Sequence, residues 1–129
     1  TDIMHEELTY EDLSYKTIGA LYSVFNAIGG RYNKKVIQKA IAEELTHLNI
    51  KYQNDVGADI KYQEQTIGRY SVDFIIENQI VLEIKRGRQL LPSDFNQLKA
   101  YLKTSTFKLG ILALFTGSRV TFSKVSNLD

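Results

Sequence analysis

Asp73, Glu83 and Lys85 are the residues whose types and spacing could do chemistry in this chain. They lie in YSVDFIIENQIVLEIK (residues 70–85), where β-rich runs flank Glu77, Asn78 and Gln79, a short polar loop suited to a hairpin. In a hairpin symmetric about Asn78, Asp73 stands directly across from Glu83. Lys85 then follows Glu83 on the same face, because strand side chains alternate with a period of two. Carboxylates opposite one another repel, so the pairing calls for a nearby cation or a displaced proton. A divalent metal would resolve it. With oxygen ligands and no histidine or cysteine cluster nearby, the suited ions are Mg²⁺ and Mn²⁺, and the Ile84 carbonyl is a candidate further ligand. Such an ion lowers the pKa of a bound water and neutralises charge on a phosphoryl group, while Lys85 could orient that water or stabilise the transition state. Phosphodiester hydrolysis would need little more; the spacing itself points only to a metal site.

The elements that must position these groups are legible as well. On the other parity of the hairpin, Val72, Phe74, Ile76, Ile80, Leu82 and Ile84 are all apolar, so that face is core and the register is well specified. Ile75 and Val81, on the charged face, suggest that it too is partly covered, most simply by the first two helices. One helix is expected from about Tyr10 to Ile28, where Leu13, Ile18, Leu21, Tyr22, Phe25 and Ile28 form a stripe that ends at Gly29 and Gly30. A second starts at Asn33 as N-cap and runs to about His47, burying Val36, Ile37, Ala40, Ile41, Leu45 and Leu48. Between Ile50 and Gln65 the pattern is mixed and polar, consistent with one or two short edge strands. A third helix begins near Pro92 or Ser93, and KLGILALFTGSRVTFSKV reads as two strands turning at Gly117 and Ser118. The order, roughly ααβββαββ, describes an α+β (α/β) fold: a mixed sheet flanked by helices.

Composition narrows the function classes. At 129 residues, 43% hydrophobic and 24% charged, the chain suits a single domain over residues 1–129, with 1–9 expected to be flexible. No apolar run approaches the roughly 20 residues that span a bilayer, and the start is acidic and polar, so the expectation is a soluble, cytoplasmic protein with no membrane partner. The absence of cysteine excludes disulfides, thiolate zinc sites and thiol nucleophiles. A formal charge of +1 advertises no general affinity for nucleic acid, so any phosphate-binding surface must be local.

Asp73, nine intervening residues and then Glu83-Ile84-Lys85 resembles the D…(D/E)xK signature of the PD-(D/E)xK nuclease superfamily. IGALYSVFNAIGG, AIAEEL, GRYSVDFIIENQIVLEIK, QLKAYLK and KLGILALF, in that order, are similar to the small GxxExxY group within it, over roughly residues 12–122. The resemblance implies a restriction-endonuclease-like core and a Mg²⁺-dependent hydrolase acting on nucleic acid, DNA in the first instance. By it, Glu44 in AIAEEL (or Glu43, one position before) is the helix glutamate of the active site, and Gln97 and Tyr101 are supporting polar residues of the helix after the motif. Three positions depart from the group: its name-giving glutamate and tyrosine fall at Lys34 and Ile37, and a first-helix histidine falls at Phe25.

Plainer readings exist for each feature. Glu44 could be a surface residue paired with Lys39 or Lys51, Gln97 a solvated helix residue, and Tyr101 core packing with its hydroxyl at the edge. Arg86 and Arg88, with Lys99 further on, could form a phosphate-tracking rim or simply a solvated charged face. His5 and His47 have no metal-like spacing. The departures at Lys34 and Ile37 also permit a nuclease-fold module without turnover, holding nucleic acid or a protein partner; a third reading makes the hairpin charges a solvated patch. A two-fold homodimer would suit symmetrical duplex substrates.

Overall fold

The structure, a computed structural model, describes residues 9–127. Its elements are α1 (Tyr10–Ile28), α2 (Lys34–His47), β1 (Tyr52–Tyr62), β2 (Gln65–Ile76), β3 (Ile80–Arg86), α3 (Pro92–Thr104), β4 (Leu109–Phe115) and β5 (Val120–Ser126). The order is the expected ααβββαββ. The strands form one sheet in the order β1-β2-β3-β4-β5. All neighbours are antiparallel except β3 and β4, which are parallel and joined by α3, since a parallel pair needs a crossover.

Local sequence explains where the helices stop and start. Thr9 accepts a hydrogen bond from the Asp12 N–H and Asn33 one from Val36, each satisfying a donor that the first helical turn leaves free. Thr9 is therefore the cap of α1 rather than part of a loose end; the rest of that expectation, residues 1–8, lies outside the described residues. Helix α1 closes at Gly29, whose φ of 77° is open to glycine at no steric cost. Helix α3 begins with Pro92, and the Asp94 carboxylate accepts from the Leu91 N–H at 2.8 Å.

Each face of the sheet carries its own core. On one, α1 and α2 pack Leu13, Leu21, Val24, Ile37, Ile41 and Leu45 against Phe74, Ile76, Ile80, Leu82, Ile84 and Phe115. On the other, α3 contributes Leu98, Tyr101 and Leu102 over Ile75, Val81 and Leu112. The apolar residues of the charged face are thus covered by α3 and not by the first two helices. The crossover requires this: a helix joining parallel strands must lie on a face, and α1 and α2 already fill the other. Val72 also departs from expectation, packing with Val81 and Leu98 rather than with Phe74. Strict alternation fails between Val72 and Phe74 because the β1–β2 ladder skips Asp55 and Asp73, and Asp55 takes a φ of 52° there.

The segment expected to hold one or two short edge strands is instead the 11-residue strand β1, which is at an edge, and β2 starts at Gln65 rather than Tyr70. They meet at Gln63 and Glu64, both at positive φ. Neither residue is a turn former, and most of the ribbon is exposed on both sides, so neither the turn nor the alternation was written in side-chain polarity. At the next turn Glu77 and Asn78 also take positive φ, and the Gln79 N–H donates to the Ile76 carbonyl.

Candidate active site

Strands β2 and β3 pair at Ile76–Ile80, Ile75–Val81 and Phe74–Leu82, the register symmetric about Asn78. There the ladder stops. Beyond Phe74, β2 continues only beside β1, while β3 continues beside β4 as far as Arg86–Phe115. The strands fork, and Asp73 and Glu83 stand at the mouth of the fork. Main-chain donors at the fork are taken by these side chains: the Asp73 N–H donates to Glu83 Oε1 at 2.8 Å, and the Ile84 N–H donates to Asp73 Oδ2 at 2.7 Å. Each carboxylate is thereby fixed by the strand opposite it.

Both acids are buried, Asp73 7% exposed and Glu83 4%. Burial, followed by the neighbouring Asp73 charge, raises the Glu83 carboxyl from its ordinary 4.5 to about 7. Hydrogen bonds from the Tyr70 hydroxyl (2.8 Å, to Oε2) and the Asp73 N–H, and the charge of Lys34, pull the other way and only partly offset this. Burial and the Glu83 charge push the Tyr70 hydroxyl well above its usual range, so it remains a donor. The rings of Tyr70 and Tyr101 lie 5.7 Å apart, and burial and Glu83 raise the Tyr101 hydroxyl too. Tyr101 is thus packed behind Glu83, on the α3 side.

Helix α2 supplies two further groups. Gln38 Nε2 donates to Asp73 Oδ1 at 2.9 Å, and Lys34 Nζ lies 3.1 Å from the same oxygen. Lys34 and Gln38 are four residues apart, hence on one flank of the helix. Burial of Ile37, Ile41 and Leu45 sets the rotation of α2, and Glu44 falls on the opposite flank. It lines a groove with Tyr15, Tyr22, Leu48 and Phe122 rather than the fork. Among the described residues no three His, Cys, Asp or Glu side chains converge, so protein carboxylates at the fork number two.

The remaining candidates are dispersed. Lys85 Nζ pairs with Asp94 Oδ1 at 3.5 Å, reaching across to the start of α3. Arg86 is exposed but engaged: its guanidinium donates to the Gly30 and Arg31 carbonyls at 3.1 and 2.8 Å, tying the α1–α2 connection to the end of β3. That tie holds the first turn of α2, and with it Lys34, over Asp73. Arg88, Gln97 and Lys99 are exposed. Ile84 meets the site through its N–H. Sequence reasoning had not placed Lys34, Gln38 or Tyr70 in the site. Their signal was faint, a tyrosine three positions before Asp73 and a polar pair at helical spacing.

A mixed sheet with helices on both faces, and a strand fork presenting an acid on one arm and E-x-K on the other, defines a restriction-endonuclease-like nuclease fold. The model of the PD-(D/E)XK nuclease superfamily matches residues 11–125, and the chain belongs to that superfamily. Among solved structures, the crystal structure of SSO0001 is similar with a TM-score of 0.56 and 22% identity over 93% of this chain, a likeness of fold. The chain spans 59% of the length of that protein. No curated protein matches.

The donor set fits the divalent ion on which nucleases of this superfamily generally depend. Two buried carboxylates, one with its pKa raised toward neutrality by burial and then by the other's charge, form a site whose two charges face a single ion-paired lysine, Lys34. All-oxygen donors of this kind are matched to hard divalent cations. No described helix is long and apolar enough to cross a membrane.

Proposed function

We propose that this chain is a metal-dependent nuclease that hydrolyses phosphodiester bonds of nucleic acid, DNA in the first instance. Asp73 and Glu83 hold Mg²⁺ or Mn²⁺, with the Ile84 carbonyl as a further ligand. The bound ion would supply a water of lowered pKa and neutralise charge on the phosphoryl oxygens. Lys85 leaves Asp94 to meet the attacking water or the phosphate, and Tyr70, with the Tyr101 ring packed against it, holds Glu83 in place from the α3 side. The observation that carries this reading is the pair of buried carboxylates at the fork, each accepting a main-chain N–H from the opposite strand, an arrangement in which one lysine leaves a second negative charge without a cationic partner.

A second reading, a nuclease-fold module that binds nucleic acid or a protein without cutting, is favoured by one specific feature: both lysines near the fork are already engaged, Lys34 with Asp73 and Lys85 with Asp94. The deciding experiment is cleavage of labelled single-stranded, duplex and branched DNA and of RNA in Mg²⁺, Mn²⁺ or EDTA. Metal-dependent cutting that disappears in Asp73→Ala and Glu83→Ala is the expected result. Binding without cutting under any metal would establish the second reading instead.

A further inference from the structure

We infer that Lys34 is a tethered cation that competes with the divalent ion for Asp73, so that this chain's own side chain sets how tightly the fork binds metal. The inference rests on the metal-site reading above. Asp73 Oδ1 already receives Lys34 Nζ at 3.1 Å and Gln38 Nε2 at 2.9 Å. Those two donors match the lone pairs one carboxylate oxygen offers. The other three carboxylate oxygens of the fork each take a single donor, from Ile84, Asp73 and Tyr70. A divalent ion at the fork therefore meets Oδ2 and the Glu83 oxygens with room to coordinate, and Oδ1 without it.

Charge points the same way. With both carboxyls ionised, as they must be to bind metal, two acids beside one lysine carry a local charge of −1, whereas the same acids without it would present −2 to an incoming ion. Lys34 also acts on Glu83 electrostatically, so its influence covers both ligands. Its side chain is 41% exposed. Water can accept the ammonium when it swings away, and displacement needs no rearrangement of the core. The placement is not accidental to the fold. Asn33 caps α2 immediately before Lys34, and Arg86 clamps the preceding turn, so the base of this side chain is held at a fixed distance from Asp73.

The test is calorimetric titration of Mn²⁺ into the full chain at pH 8, comparing wild type with Lys34→Met, Lys34→Arg and the double variant Lys34→Met/Asp73→Asn. Removing one positive charge within a few ångströms of a doubly charged ion is expected to tighten binding about tenfold or more. Lys34→Arg should bind like wild type, and the double variant should lose the tight site. Equal or weaker affinity in Lys34→Met overturns the inference while leaving the metal site standing. Tight binding retained in the double variant puts the ion elsewhere and overturns it also. An absence of binding in every protein overturns both the inference and the reading beneath it.

Discussion

Glu83→Gln should make the metal-free protein more stable at alkaline pH, although it removes a group proposed to be essential for activity. Glu83 is 4% exposed, and its carboxyl titrates near 7 in the folded chain against an ordinary 4.5. The folded state therefore holds this proton more tightly than the unfolded state. The stability so conferred is fully present below about pH 4.5 and is lost as pH rises through about 7. A difference of this size corresponds to about 3 kcal/mol. In a chain of this length that is on the order of 10 °C in Tm. Glutamine keeps the shape, and its oxygen still accepts from the Asp73 N–H, but it has nothing to ionise. Urea denaturation followed by circular dichroism, in EDTA from pH 4.5 to 8.5, should show wild-type stability falling relative to the variant across this window. The two curves should differ by about 3 kcal/mol more at the top than at the bottom. Parallel curves would refute the account, because they would mean that Glu83 carries no uncompensated charge in the fork.

Two other substitutions probe how the site is held. Gly30→Ala would drive a Cβ into the Thr116 carbonyl, backbone that cannot move aside, and should cost about 2–3 kcal/mol in a denaturant titration. Arg86→Ala removes the two hydrogen bonds to Gly30 and Arg31 and should cost about 1–2 kcal/mol. Because this arginine serves main-chain carbonyls and not phosphate, the salt dependence of nucleic-acid binding should keep its slope in Arg86→Ala; a slope reduced by about one contact would restore it to the rim.

Much of this protein was legible in its residues. Caps and periodicity placed α1, α2 and the start of α3 within a residue or two, and the apolar parity around Asn78 set the hairpin register, so Asp73 opposite Glu83 followed from local rules. These are short-range determinants, acting within one turn of helix or one strand pair. The long β1–β2 ribbon was not legible, since its turn at Gln63 and Glu64 lacks turn residues and its exposed faces lack alternation.

What only the tertiary structure decided was the company the acids keep. Which helix covers the charged face depends on the crossover from β3 to β4, a contact between elements far apart in sequence. Lys34 and Gln38 reach Asp73, and Glu44 does not, because the buried stripe Ile37, Ile41 and Leu45 fixes how α2 is rotated on the sheet. That Arg86 ties down the α1–α2 turn could not be read from its place in the basic group after the signature. Strand pairing is encoded between neighbours in the chain, whereas the burial and charge that tune Glu83 are sums over every element packed around the fork, and those sums exist only once the chain has folded.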